Sequence, residues 1–564
     1  MQNKSIPVLI VGGGLTGLGA TLFLLKHGVK PVLIERRAST SIHPRARGFD
    51  VRTMELFREL QLDQAIVEAG KALAPAWGLY QGESLVEILK DIDPAKLKVN
   101  HPINFPGLEK LAAMSPVAGA RCTQDLSEPI LLQAAQERGA DIRFNTKLLS
   151  FTQSNEDVTV HIQDTITGQE QTITCAYMIA ADGAGSPVRK ALQAVISGHG
   201  SYGHLLNVYF EADLGALVKG REFSICRMAQ PGLEGILTSI NNSDKWVFHL
   251  YYDPARGERP EDYTHERLEK LLQQMLGMPQ MKIHIISVLP WQPTVSVVND
   301  MQHGRIFLAG DAAHQMTPYG GKGAATGVQD VQNLSWKLAL VLQQQAGEEL
   351  LHTYSSERQP VGMQVAEMSG ALADDKGLID IPKFMKLVSG STTEYNLDKM
   401  ITMVGLPDFR YASSAIINDE QEGAPALLSA QPGTRVPHVW LQKEPQQVST
   451  LDLATQHLTL ITDEAGEAWQ WAADVVKEQL QITLPVYIMK KEEPVYESWK
   501  EITRLQDEQH PACQAVVAIG QRAFFRCEGE IVDALIVREP GTAVELFDLG
   551  VFENRNTVLV SSGQ

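Results

Sequence analysis

The chain opens on a short apolar run, Pro7 to Val11, that breaks into Gly12-Gly13-Gly14-Leu15-Thr16-Gly17. Behind the glycines, Leu15, Leu18, Leu22 and Leu25 recur at helical spacing. Gly28 supplies a stop, and Val32-Leu33-Ile34 reads as a second buried strand ending in Glu35. Strand, turn, helix, strand is a βαβ unit, which predicts an α/β fold with a parallel sheet. Gly12, Gly14 and Gly17 form GxGxxG. The first allows a tight turn, the second a close approach of pyrophosphate to the backbone, and the third close packing of helix on strand. Leu15 and Thr16 lie within the loop, where free amides and the helix dipole face the phosphates. Glu35 stands where a carboxylate accepts hydrogen bonds from a ribose diol. The alternative is a glycine-rich turn with a solvated glutamate. The motif does not separate FAD from NAD.

The 564 residues carry 67 acidic and 49 basic side chains, a formal net charge of −18. So acidic a chain is a poor match for nucleic acid or an anionic membrane surface. The five cysteines include no CxxC pair, which fits a reducing, cytoplasmic setting better than a disulfide framework. No leader peptide and no apolar run long enough to span a membrane are visible. No cluster has metal-ligand spacing, so no metal is expected.

Residues 75–105 and 195–290 alternate in the manner of antiparallel strands, as in Lys245 to Tyr252. Arg305 to Ala309 reads as a returning buried strand. After it, Val328, Val331, Leu334, Leu338 and Val341 mark the apolar face of a long helix. Residues 365–425 are polar and helical in character, and a separate α/β unit begins near 430.

Two further turns follow strands: Asp182-Gly183 after Tyr177 to Ala180, and Gly310-Asp311 after Leu308-Ala309. Singly, each reads as a common turn or helix cap. In this order behind GxGxxG, they resemble the class A flavoprotein monooxygenases, the superfamily of para-hydroxybenzoate hydroxylase and phenol hydroxylase. Supporting stretches are Glu35-Arg36-Arg37, Pro44-Arg45-Ala46, Arg52 to Leu56, Gln124 to Leu131, Gly304 to His314, Pro318, Gly320-Gly321, Gly323, Asp330, Asn333 to Ala339, and Tyr354 with Glu357 to Pro360. The resemblance covers nearly the whole chain and is strongest toward the aromatic-polyketide hydroxylases of antibiotic pathways.

That resemblance implies a Rossmann-like FAD domain (1–74, 106–190 and 291–395), an inserted antiparallel substrate sheet (75–105 and 191–290), a linking helical segment (396–430) and a thioredoxin-like domain without redox thiols (431–564). By the same resemblance, Asp311 bonds the ribityl chain of FAD, and Arg45 and Gln124 contact its pyrophosphate. Arg36 follows the ribose-binding Glu35. Asp182-Gly183 serves both FAD and NAD(P)H, and Pro318 lies near the reactive edge of the flavin. Gly321, Gly323 and Ala324 meet its pyrimidine ring, where a helix N-terminus stabilises the negative charge of the reduced form. The flavin is expected to move between exposed and buried positions, with Arg45 placed to reach both. Ala325 departs from the family, which commonly carries an asparagine there. Lys322 replaces the usual leucine or methionine; it either helps hold anionic flavin or is simply solvated.

The implied reaction is hydroxylation of a phenolic or polycyclic aromatic substrate, with FAD reduced by NAD(P)H and O2 carried as a flavin C4a-hydroperoxide. It needs a water-poor site and an activated phenol. Candidates for activation are Arg227, His249, Tyr251, Tyr252 and Trp291. Alternation puts His249 and Tyr251 on one face, although an ordinary sheet role fits each. The C-terminal unit reads as structural, with a homodimer contact as one use. The alternatives are a Baeyer–Villiger, epoxidising or antibiotic-inactivating member of the same family, a nicotinamide-dependent dehydrogenase, a flavin-dependent halogenase, and a non-catalytic flavin binder. The halogenase lacks its Trp-x-Trp-x-Ile-Pro stretch, since Trp469-Gln470-Trp471 is followed by alanines.

Overall fold

A computed structural model describes residues 6–73, 78–93 and 112–389, with shorter stretches at 405–406, 409–416, 433–443, 446–455, 457–462, 470–471, 473–474, 477–478, 483–489, 515–519 and 522–527. Two large sheets dominate. The first has the central order Gln302–His303, Ile306–Leu308, Glu170–Ala180, Ile6–Val11, Val32–Ile34 and Asp141–Arg143. The pairings from Ile306–Leu308 through to Asp141–Arg143 are parallel. Thr146–Gln153 and Val158–Asp164 add an antiparallel extension alongside Glu170–Ala180, so the sheet is mixed.

The predicted βαβ unit forms as expected. Val8, Leu9 and Ile10 are fully buried, as a strand with a parallel neighbour on each side must be. The helix Leu15–Lys26 is apolar nearly all round, because the helices Gly323–Leu342 and Gln124–Glu137 both pack on it. It ends in a left-handed Gly28, whose N–H donates to Leu25 O at 3.0 Å. In the helix Gly323–Leu342 the expected apolar face is buried at Val328, Val331, Leu334 and Leu338.

The second sheet has six strands in the order His284–Trp291, His204–Glu211, Lys245–Tyr252, Leu233–Ser239, Ile225–Gln230 and Leu79–Gly82. It is antiparallel except at its edge, where Leu79–Gly82 runs parallel to Ile225–Gln230. That strand arrives from a distant part of the chain rather than through a hairpin, so its direction is free of the alternation that adjacent strands impose. One face carries a core of Phe210, Trp246, Phe248 and Leu272; the other faces a cleft.

Near the C-terminus, Thr459–Thr462 pairs parallel with Val486–Ile488 and antiparallel with Ala515–Ile519, which in turn pairs with Arg522–Cys527. Two ion pairs tie this part of the chain to the helix Val51–Glu59. Arg435 grips Glu55, with Nε to Oε2 at 2.9 Å, and Arg58 forks onto Asp452 at 3.2 and 2.9 Å. The helical link expected over 396–430 lies largely outside the described residues. Its described stretch 409–416 forms turns instead, because Tyr411 and Ser413 are drawn to side chains of the helix Glu349–Ala371, Arg358 and Glu357. Cys513 lies outside the described residues. Cys122, Cys175 and Cys226 are buried free thiols, and burial pushes each pKa up to about 12. No helix among the described residues is long and apolar enough to cross a membrane.

Candidate functional site

A cleft of about 2680 Å3 lies between the two sheets. The expected cofactor contacts all line it except Gly17 and Gly310. Those two act from behind the wall. A Cβ on Gly17 would sit 1.9 Å from Gly12 O, so this glycine is needed for the helix to seat on the strand. A Cβ on Gly310 would strike Thr16 Oγ1 at 2.5 Å, which packs the second turn against the first. Gly12 has φ +110°, a conformation strained for any side chain. At Gly14 an added Cβ would meet only Glu128 Oε1, at 3.5 Å, so the constraint there comes from what enters the cleft rather than from the fold.

Glu35 does not reach freely into the cleft. Its Oε2 accepts from Gly13 N at 2.7 Å and its Oε1 from Arg37 N at 2.9 Å. The carboxylate thus locks the glycine loop to the end of the second strand while its edge lines the cleft. A second carboxylate, not expected from the sequence, does similar work. Glu128 is 1 % exposed; its Oε1 accepts from Gln124 Nε2 at 2.6 Å and its Oε2 from Ser41 N at 2.7 Å. Burial raises its pKa against these hydrogen bonds. The i, i+4 spacing of Gln124 and Glu128 was the signal available for it.

Asp311 opens onto the cleft, and its carboxylate has no hydrogen-bond partner among the described residues. Its side chain is exposed to the open cleft, yet the protein atoms crowded around it raise its pKa by partial loss of water, while His314, Arg45 and Arg189 pull the other way. Arg189 also braces the turn from outside, donating to Ala312 O at 2.8 Å and Ala184 O at 2.5 Å. Asp182 holds Val188 N on Oδ2 at 3.2 Å, leaving Oδ1 buried without a partner; burial raises its pKa too.

Behind Asp311 lies a charged core. Asp330 Oδ2 meets His314 Nε2 at 2.6 Å and accepts from Gly310 N at 3.1 Å, while its Oδ1 accepts from Arg358 Nε at 2.8 Å. The Gly310-Asp311 turn is therefore hung on the helix Gly323–Leu342. Arg45 lines the cleft near Asp311, and burial lowers its pKa against that attraction. Its carbonyl accepts from Gln124 N at 2.8 Å, and Ala46 next to it has φ 45°, a left-handed kink that directs the segment. Pro318, Gly321, Gly323 and Ala324 form the stretch of wall at the start of the long helix. Lys322 is not free in solvent: its Nζ lies 3.1 Å from Asp50 Oδ2. Ala325 is buried.

On the facing sheet, His249 lines the cleft and Tyr251 does not. Both point to one face, as alternation requires, but Tyr251 is covered by the segment following the helix Glu349–Ala371, with Lys376 Nζ 5.4 Å from its ring centre. Arg227 is engaged by Glu234 and Asp374 at 2.5 and 2.6 Å and donates to Ile379 O at 2.7 Å. Tyr252 packs into the core of the opposite face, and part of it also touches the cleft. His249 Nδ1 meets Asn207 Oδ1 at 2.6 Å, and Trp291 Nε1 donates to the same oxygen. Burial, Arg47 and His43 push the His249 pKa down to about 3. Its ring is therefore neutral near pH 7, and with Nδ1–H given to Asn207, Nε2 is left as an acceptor for a ligand. A group this reluctant to be protonated suits hydrogen bonding better than taking up a proton. Asn207, His43, Arg47 and Arg121 were not expected from the sequence; all four line the cleft.

Comparison with known proteins agrees with this layout. Residues 5–369 match the family described as FAD binding domain. The chain is 37% identical over 509 residues to a tetracenomycin A2 monooxygenase-dioxygenase of Streptomyces glaucescens, with 86% of each chain covered. It is 33% identical over 480 residues to an aklavinone 12-hydroxylase of Streptomyces peucetius subsp. caesius, covering 84% of this chain and 94% of that one. Its structure superposes on that of aklavinone-11 hydroxylase, solved as a ternary complex with FAD and aklavinone, with a TM-score of 0.78, 30% identity and 93% and 96% coverage. The chain belongs to the FAD binding domain family and has the fold of the flavoprotein monooxygenases that its three turn motifs resemble.

Proposed function

We propose that this protein is an FAD-dependent monooxygenase that consumes NAD(P)H and O2 to hydroxylate a polycyclic phenolic substrate of the polyketide type. The observation that carries the reading is the convergence of three sequence-distant turns, at Gly12–Gly17, Asp182-Gly183 and Gly310-Asp311, on one wall of a cleft whose other wall is the six-stranded sheet. The relatives named as a tetracenomycin A2 monooxygenase-dioxygenase and an aklavinone 12-hydroxylase support the substrate class.

The residues present suit FAD. A glycine loop with open space at Gly14, an unpartnered carboxylate at Asp311 and an orphaned Asp182 Oδ1 are complementary to a group rich in phosphates and hydroxyls. In this reading Gly12, Gly14, Leu15 and Thr16 cradle the pyrophosphate with Arg45 and Gln124. Glu35 and Arg36 take the adenosine end, Asp182 and Asp311 the ribityl hydroxyls, and Pro318, Gly321, Gly323 and Ala324 the flavin edge. Bound FAD supplies reduction by NAD(P)H and activation of O2. The chain's own part is to orient the aromatic ring and keep water away. Ile225, Ile236 and Val247 give the facing wall its apolar surface, and His249 Nε2 accepts a hydrogen bond from a phenolic hydroxyl. The residues of the six-stranded sheet form the substrate unit and those of the mixed sheet the FAD unit.

The test is reconstitution with FAD, followed by NAD(P)H oxidation assays with a panel of polycyclic phenols under isotopically heavy O2. One labelled oxygen on a ring carbon supports the reading. NAD(P)H consumption that yields only hydrogen peroxide with every substrate, or product without label, refutes it. Oxygen inserted into a ring bond would mark the Baeyer–Villiger alternative.

A further inference from the structure

Most buried cations of this protein have carboxylates to meet. Arg52 and Arg435 share Glu55, Arg358 has Asp330, and Lys337 has Glu357. Arg47 and Arg121 are different. Neither forms an ion pair among the described residues, and both line the cleft. Arg47 spends NH1 on two backbone carbonyls of the six-stranded sheet's side, Ser224 O at 3.1 Å and Ser239 O at 3.2 Å. Nε and NH2 of Arg121 are buried with no hydrogen-bond partner among the described residues. Beside them His43 is 3 % exposed, with both ring nitrogens unpartnered. Both arginines are partly buried, and placing two guanidinium groups together at a cleft wall without a counter-charge is unfavourable unless something anionic arrives.

We propose that Arg47 and Arg121 form a two-guanidinium clamp for an anionic oxygen of the substrate, so that the enzyme takes its aromatic substrate as an acid: a carboxylate, or a hydroxyl ionised through conjugation to a carbonyl. Guanidinium forks match such planar oxygen pairs. The inference rests on the monooxygenase reading and adds the chemical class of substrate to it.

The clamp belongs to the substrate side. Arg47 is fastened to the Ser224 and Ser239 carbonyls, beside the strands that face the ligand, whereas Arg45 and Arg189 attend Asp311 at the glycine loop. Burial and the charge of Arg121 bring the Arg47 pKa down to about 9, and burial brings Arg121 to about 10, so both remain cationic near neutral pH. His249 and His43 are pushed to about 3 and 4, chiefly by burial, and stay neutral. They therefore add hydrogen-bonding capacity without adding charge. An anion on the guanidinium groups, with a second hydroxyl on His249 Nε2, would fix the ring at two points.

The experiment uses the full chain saturated with FAD and follows flavin absorbance during titration with a hydroxynaphthoic acid and with its methyl ester. The acid should bind about tenfold or more tighter than the ester, the scale of one charge-assisted hydrogen bond. Arg121→Met should abolish the preference and Arg121→Lys should restore part of it. Separate titration with FAD should give the same affinity for wild type and Arg121→Met. Equal binding of acid and ester by the wild type, failure of the acid to bind, or an undiminished preference in Arg121→Met overturns the clamp. So does a loss of FAD affinity in that variant, which would assign the anion to the cofactor. Should Arg121→Met not fold, Arg121→Gln carries the same comparison. Oxygen transfer to neutral phenols would leave the monooxygenase reading standing even if the clamp failed.

Discussion

Asp330 and Arg358 meet at 2.8 Å between Oδ1 and Nε, with both side chains wholly buried. The other oxygen of Asp330 holds the His314 ring and the Gly310 amide, so a single carboxylate links two helices to the turn that presents Asp311. Removing one member of a buried ion pair leaves the other uncompensated, at a cost of about 3–5 kcal/mol. Asp330→Asn should therefore lose stability on that scale in denaturant titration, and FAD affinity should fall with it. Burial alone would raise the pKa of Asp330, but His314 and Arg358 hold it below the usual carboxylate range. The stability this ionisation contributes is complete above the unfolded value of about 3.9 and is lost as pH falls through the lower folded value. Wild type and Asp330→Asn should thus converge in stability in strong acid. A difference that persists unchanged there would count against the linkage.

Asp311 has the opposite sign. Its pKa is raised in the folded apoprotein, so its ionised form opposes folding near neutral pH, and that penalty vanishes as pH falls through the raised value. Asp311→Asn should raise the melting temperature of the apoprotein at pH 7 relative to wild type. Asp311→Ala should weaken FAD binding by about 1.5–3 kcal/mol, roughly 10- to 150-fold, through loss of a charge-assisted hydrogen bond. Fluorescence titration with FAD and apoprotein melting measure the two effects independently. Unchanged FAD affinity in Asp311→Ala would remove Asp311 from the cofactor site.

Arg45 separates a clamp from a gate. With its guanidinium open to the cleft near Asp311 and its backbone pinned by Gln124 N, it can hold phosphate by a fork that a neutral side chain lacks. Arg45→Ala should slow substrate-stimulated flavin reduction at full FAD occupancy, as read by stopped-flow absorbance. If only FAD affinity drops and the reduction rate of bound flavin is unchanged, Arg45 is a phosphate clamp and nothing more.

Glu55 and Arg435 are 380 residues apart in the chain, yet they form a buried ion pair that also engages Arg52 and Ser115. Burial would raise the Glu55 pKa, but Arg435 and Arg52 hold it low. Arg435→Met should destabilise the protein by about 3–5 kcal/mol, and adding Glu55→Gln should recover part of that loss. Chemical denaturation of the two variants checks it. Additive losses in the double variant would show that the pair is not energetically coupled.

Much of this molecule was legible in short windows of sequence. The glycine loop, the helix stop at Gly28, the second strand ending at Glu35 and the apolar face of Gly323–Leu342 follow from local backbone needs and side-chain periodicity, and these survive any tertiary context. The turns at Asp182 and Asp311 were legible as turns that follow strands, but their bearing on a cofactor came only from the resemblance carried by their order behind the glycine loop. What spacing could not supply was pairing across distance. Lys322 reads as a solvated lysine until Asp50, 272 residues away, is brought beside it. Tyr251 and His249 share a face by alternation, but only the covering segment around Lys376 decides that one is sealed and the other lines the cleft. Arg47 and Arg121 read as two ordinary arginines. Their lack of a counter-charge exists only once folding has set them together on the cleft wall with no carboxylate paired to either among the described residues, because the energy of a charge depends on its surroundings and not on its neighbours in the chain.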